Sequence, residues 1–208
     1  MTIKHNKQMV ILASRSPRRI ELLKQVGIEC IVLPADIDES LRQGELPAPY
    51  VKRLAKEKAL ATAANMKKEY SHMIVLAADT TVSVGDEVLG KPESDQDAAR
   101  MLALLSGTKH AVHTAVAAYH DGKVSVVLKT TTVKMAKLTT KTIDAYIASG
   151  EQRDKAGSYG IQGKAAAWIE AIEGSYSGVM GLPLFETVQL MNKVTAASLK
   201  RLLKAKEE

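Results

Sequence analysis

Residues 10–26, VILASRSPRRIELLKQV, constrain this chain most. They read in order as a short apolar strand, a tight polar turn and a helix entered through two arginines. Ser16 suits the position before the helix and Pro17 its first residue, which leaves Arg18 and Arg19 inside the first turn. Arginine is unfavourable beside the positive end of a helix dipole, so the pair needs another cause. A bound polyphosphate supplies one, because free N–H groups, the helix end and two guanidinium forks would face a single anion. A solvated basic turn is the alternative. Gly27 ends the helix and 28–33 resumes as a strand, with Cys30 an inert core thiol. Strand, helix, strand predicts the start of an α/β domain.

Further along, the cluster Asp36, Asp38 and Glu39 follows Pro34 at a strand end, as a surface turn or as a source of one carboxylate for a hard divalent ion. A helix is predicted over 50–70. Its 3.6-residue period puts Val51, Leu54, Ala55, Ala59, Thr62 and Met66 on one stripe and Lys58 in the middle of it, with Lys52, Arg53, Lys56 and Glu57 toward solvent. An inward lysine either reaches an internal cleft or snorkels its charge outward. The segment 73–84, MIVLAADTTVSV, starts as a fully apolar strand and then sets Asp79, Thr80 and Thr81 near its end. Open α/β sheets bind ligands at the carboxyl ends of strands, and a carboxylate there is costly without a partner. A turn at 85–87 makes a hairpin that returns Lys91 toward Asp79, or leaves it as a surface lysine.

The second half predicts a helix capped by Ser94 and ended by Gly107, strands over 110–119 and 124–134 joined by an Asp121–Gly122 turn, and a helix from Thr139 or Thr140 to Gly150. Neither His110 nor His113 has a metal-ligand neighbour at useful spacing, so both read as sheet or rim residues. Residues 151–163, EQRDKAGSYGIQG, form a polar, glycine-bearing connection of the kind that lines a site. There Lys155 adds positive charge and the Gln162 amide can read a base edge, although a hydrated loop is the default. Strands at 165–172 and 179–180, a helix from Pro183, and a basic C-terminal helix capped by Thr195 complete the reading. Trp168 and Phe185 are assigned to core or groove packing, and residues 1–8 to a loose polar lead-in.

Composition narrows the class. With 46% hydrophobic and 25% charged residues the chain is an ordinary globular sequence long enough for a sizeable core. A single cysteine excludes an internal disulfide framework and agrees with a reducing cytosol. The apolar run after Met9 is too short and too interrupted by arginine for a secretory signal, and no stretch approaches bilayer length. A net charge of +6 invites an anionic partner without choosing nucleic acid over a mononucleotide. Phosphate-loop, dinucleotide-turn, zinc-spacing and nucleophile-elbow motifs are missing, as are repeats and low-complexity blocks.

The constellation that remains is Arg18, Arg19, Lys58 and Lys91 as cations, with Glu39 and Asp79 as carboxylates. It favours metal-assisted hydrolysis of a phosphoanhydride over simple anion binding. The motifs ASRSPRR (13–19), ADT (78–80), GKP (90–92), DKAGSYGIQG (154–163) and GLP (181–183) resemble the Maf proteins, the septum formation inhibitor family of nucleoside triphosphate pyrophosphatases. That resemblance spans about residues 9–194, with a basic helix or tail at 195–208. It implies a mixed α/β fold: an elongated twisted sheet flanked by helices, in two lobes with the active-site cleft between them, often as a homodimer. It also implies Asp79 as proton acceptor, Ser14, Arg18 and Arg19 from the first motif, Glu39, Lys58 and Lys91 in the catalytic set, and Mg²⁺ or Mn²⁺ held by Glu39 and Asp79. Substrate choice would involve Arg18, Thr80 and Gln162. The YGIQG form resembles the branch acting on dTTP and UTP. The expectation is therefore a cytoplasmic hydrolase releasing pyrophosphate, with no stable nucleic-acid or membrane partner. Alternatives are the 7-methyl-GTP branch, a nucleotide-sensing regulator of septum formation, a nucleic-acid-binding module or a phosphomonoesterase.

Overall fold

The computed structural model describes residues 8–204. The expected lead-in before Gln8 and the end of the basic tail, residues 205–208, lie outside the described residues. In chain order the elements are β1 (Gln8–Leu12), α1 (Pro17–Gln25), β2 (Ile28–Val32), α2 (Pro47–Asn65), β3 (Val75–Val84), β4 (Glu87–Leu89) and α3 (Asp95–Leu105). They continue as β5 (Lys109–His120), β6 (Lys123–Met135), α4 (Thr140–Ala148), β7 (Ile169–Glu173), α5 (Tyr176–Val179) and α6 (Leu184–Lys204). The described strands form one mixed sheet in the order β2-β1-β3-β5-β6-β7, with β4 paired to β3. β1 pairs in parallel with β2 and β3, and the other pairings are antiparallel. This is the expected mixed α/β fold.

Alternation along the strands sends successive side chains to opposite faces, and the helices cover both. Val10, Leu12, Leu76 and Ala78 pack with Leu22 and Leu23 of α1 and with Leu190 and Met191 of α6. On the other face Ile11, Ala13, Val75 and Ala77 pack against Val51, Ala55 and Ala59 of α2. A third cluster, around Val82, Leu102, Leu105, Val133 and Tyr146, serves the far ends of β3, β5 and β6 with α3 and α4. The two neighbours of β1 are thus reached through α1 and α2 on opposite faces. That divergence opens a crevice beyond the carboxyl end of β1, where open α/β sheets bind ligands.

Several local expectations are corrected. The long helix runs Pro47–Asn65, because Pro47 and Pro49 fit its first turn, and its expected end is a separate 3₁₀ turn at Lys68–Tyr70. Residues Lys164–Trp168 form 3₁₀ turns, so only Ile169–Glu173 is strand; Trp168 packs edge-on against Tyr146 at 4.9 Å. Val179 ends α5, which Ser175 caps, and neither Val179 nor Met180 is in a strand. Thr195 caps nothing: α6 runs straight through it and its hydroxyl donates to the Met191 carbonyl one turn back. Phe185, expected in packing, is 73% exposed. Among the described residues no helix is long and apolar enough to cross a membrane.

Candidate active site

β1 pairs with β3 only through Ile11 and Leu12 against Val75 and Leu76, so the longer β3 runs on past the end of β1. Asp79 and Thr80 sit on that overhang, on opposite faces of the strand. Around it lies a cleft of about 1070 Å³, lined by every site residue that the family resemblance implied and by Lys155: Ser14, Arg18, Arg19, Glu39, Lys58, Asp79, Thr80, Lys91, Lys155 and Gln162.

Lys58 reaches this cleft from the buried face of α2. Its Nζ lies 2.7 Å from Asp79 Oδ1 and 2.8 Å from Glu39 Oε2, so one ammonium bridges two carboxylates and, among the described residues, leaves one oxygen of each uncommitted. Lys58 and Asp79 are buried, at 8% and 7% exposure, whereas Glu39 is exposed. Burial pushes the Asp79 carboxyl above the ordinary carboxylate value, against the pull of the Lys58 ammonium and Arg19. Glu39 stands on the irregular segment between β2 and α2. That segment is tied down by Tyr50, whose hydroxyl donates to the Glu39 carbonyl at 2.8 Å, and by Arg53, which grips both oxygens of Glu45 at 2.7 Å and the Ser40 carbonyl at 2.9 Å. Arg53 therefore does not point to solvent as its helical position suggested. Its guanidinium is largely covered, and a carboxylate on the preceding loop accounts for it. Asp36 and Asp38 stay exposed, and Asp38 accepts the Ser40 N–H.

The opening turn holds its polar groups in a specific arrangement. Ser16 occupies the N-cap position of α1 without making a side-chain cap. Its own N–H donates instead to Ser14 Oγ at 3.2 Å. Arg19 is held on three sides, donating from Nε to the Gly181 carbonyl at 2.8 Å, from Nη1 to Ser14 Oγ at 3.1 Å and from Nη2 to Thr80 Oγ1 at 3.3 Å. Burial lowers its pKa and the Asp79 carboxylate opposes that; a guanidinium nevertheless keeps its charge in a protein. Arg18 makes no hydrogen bond or ion pair among the described residues and lines the cleft.

The far wall is the loop after α4. Gly157 adopts φ +68°, and a Cβ there would stand 2.9 Å from Val82, so the tight passage against β3 needs glycine. Gly160 lies beneath the Lys155 stem, where a Cβ would come within 2.8 Å. The Lys155 ammonium donates to the Glu151 carbonyl at 2.5 Å, bracing the loop. Burial and the nearby Arg18 lower the Lys155 pKa. Gln162 and Lys91 are exposed on the cleft rim.

Sequence reading missed the supports of this wall. His110 is buried in β5, its Nε2 2.7 Å from Tyr159 Oη, and burial depresses its pKa to about 4, so the ring is neutral. Tyr146 accepts the Gly160 N–H at 3.3 Å. His110 and His113 are both sheet residues of β5, within the expectation, and His113 sits between Ser83 and Thr130. Thr81, also lining the cleft, has a buried hydroxyl with no hydrogen-bond partner among the described residues. Its place beside Asp79 and Thr80 was the one available signal.

The fold and cleft define an α/β protein whose site joins a carboxylate–lysine–carboxylate bridge to an arginine-bearing helix start. Comparison with known proteins is specific: the family model for Maf-like proteins matches residues 9–194, and the chain belongs to that family. It is similar to a dTTP/UTP pyrophosphatase of Methylobacillus flagellatus, 54% identical over 92% of this chain and 96% of the relative. Proteins of the same description from Pseudoalteromonas atlantica and Nitrosomonas europaea are each 49% identical. Those matches span 91% and 88% of this chain and 98% and 93% of the relatives. Among solved structures, the Staphylococcus aureus Ham1 protein overlaps at a TM-score of 0.41 with 15% identity, over 62% of this chain and 72% of that one.

Proposed function

We propose that this chain hydrolyses dTTP and UTP to the nucleoside monophosphate and pyrophosphate. The observation that carries the reading is Lys58 bridging Asp79 and Glu39 within the cleft that Arg18 and Arg19 enter. The naming of the Maf relatives supports the choice of nucleotide.

Asp79 is the proton acceptor for the attacking water. Burial raises its basicity, and the Lys58 ammonium pulls the other way, toward the ionised form. Ser14 accepts from the Ser16 N–H and from Arg19, so both lone pairs of its hydroxyl are in use and only its hydrogen is left to offer, which suits a phosphate oxygen. Arg19 spends three of its guanidinium's five N–H donors on the protein and keeps the others for the triphosphate. Arg18 and Lys91 add charge where the pyrophosphate departs.

A divalent ion also fits the residues present. The free oxygens of Glu39 and Asp79 are hard donors, and no group of three or more His, Cys, Asp or Glu able to hold an ion occurs among the described residues. Such a pair would suit Mg²⁺ or Mn²⁺, hard cations that take few protein carboxylates. Bound there, the ion would neutralise phosphate charge and acidify water.

A product assay across nucleotides tests the reading. Incubation with dTTP or UTP and Mg²⁺ or Mn²⁺ should yield monophosphate and pyrophosphate with little turnover of purine triphosphates. Orthophosphate as the first product, or 7-methyl-GTP as the best substrate, would contradict it.

A further inference from the structure

Thr114, on β5, is fully buried and directly opposite Thr80 in the antiparallel register of β3 and β5. Its hydroxyl lies 2.7 Å from the Gly178 carbonyl and 3.0 Å from Thr80 Oγ1. A carbonyl only accepts, so the one hydrogen of Thr114 goes to Gly178. The contact between the two threonines must then be made with the hydrogen of Thr80. Thr80 also receives Arg19 Nη2 on one lone pair. Its side chain is therefore left with a single lone pair and no hydrogen to offer the cleft.

Thr80 and Ser14 flank Arg19 with opposite polarity, Ser14 able only to donate and Thr80 only to accept. An ionised phosphate oxygen is itself an acceptor and cannot satisfy Thr80. What would complement Thr80 is a hydrogen-bond donor, and in a nucleotide with an ionised triphosphate only the nucleoside can supply one. Thymine and uracil carry such a donor, N3–H, at the edge where cytosine has a bare nitrogen.

We propose that Thr114 is a positioning residue for substrate selection: by taking the hydroxyl hydrogen of Thr80 it makes that side chain an acceptor toward the cleft, matched to the N3–H of uracil or thymine. This rests on the pyrophosphatase reading above. Thr114 touches no substrate. It acts through Thr80, and the buried hydroxyl pair is the means.

The test compares kcat and KM for UTP, CTP and 3′-deoxy-UTP in the wild-type chain, Thr114→Val and Thr114→Ser. Wild type should prefer UTP to CTP and treat 3′-deoxy-UTP like UTP. Thr114→Val releases the Thr80 hydroxyl to turn and donate to the cytosine nitrogen, so the UTP-over-CTP ratio of kcat/KM should fall roughly tenfold, the worth of one hydrogen bond. The change should fall mainly on KM, and Thr114→Ser should restore the ratio. An unchanged ratio in a folded Thr114→Val overturns the proposal. If that variant fails to fold, the wild-type series still decides: loss with 3′-deoxy-UTP and none with CTP would place the donor on the ribose and overturn it. Absence of pyrophosphate release from UTP by the wild-type chain would overturn the functional reading as well, which separates the two failures.

Discussion

Asp79→Asn is expected to fold like the parent chain and to lose turnover of dTTP by about 10²–10⁴-fold, the usual contribution of a positioned general base. The amide still offers Lys58 an oxygen where Asp79 Oδ1 accepts at 2.7 Å, so the bridge can re-form while the proton acceptor is gone. The pH profile gives an independent check. Burial raises the Asp79 pKa above 3.8, so the acid limb of wild-type kcat should titrate above that value and be missing from the residual rate of the variant. Stability follows with a definite sign. Between the unfolded and the raised folded pKa the native state binds more protons than the unfolded one, and stability falls as pH rises through that window. Asp79→Asn removes that fall. Steady-state kinetics and thermal denaturation between pH 4 and 8 measure both; metal-dependent turnover at the wild-type rate would refute the role of Asp79.

Lys58→Met should be the more damaging change for the fold. It leaves the buried Asp79 carboxylate without the ammonium that now lies 2.7 Å away. Removing one partner of a buried pair costs about 3–5 kcal/mol, and the exposure of Glu39 points to the lower end for this bridge. With Lys58 absent the desolvated carboxyl titrates higher still, so the deficit should be largest at neutral pH and shrink as acid neutralises Asp79. Denaturant unfolding at pH 5 and pH 8 distinguishes this from a packing defect, which would be the same at both. The acid limb of any remaining activity should also move to higher pH.

These two residues were legible because each breaks a local rule. Lys58 interrupts an apolar helical stripe, and Asp79 interrupts an apolar strand; a charge in such a place implies a partner. The opening strand, turn and helix were legible for a similar reason, since arginines at a helix start oppose its dipole. The mixed sheet followed from strands separated first by helices and then by a tight Asp121–Gly122 turn. What escaped were features set by register and by distant chain. Thr114 meets Thr80 only because β3 and β5 pair with that alignment, and nothing local to 110–119 marks it. His110 meets Tyr159 across 49 residues, and Arg53 finds Glu45 on a loop with no periodicity to read. Lys164–Trp168 is apolar enough for a strand, yet turns as 3₁₀ before joining β6 as β7. Thr195 is a good cap residue in isolation, overridden by an apolar stripe that continues through Leu190, Met191 and Val194.

If Asp79 accepts the proton of the attacking water as proposed, that water should attack the α-phosphorus, the attack that leaves the pyrophosphate whole and its bridging oxygen unlabelled. Hydrolysis of dTTP in ¹⁸O-labelled water, with both products analysed by mass spectrometry, tests it most directly. The label should appear in the thymidine monophosphate and be absent from the pyrophosphate. Label in the pyrophosphate, or in orthophosphate, would place the attack on another phosphorus and contradict the assignment.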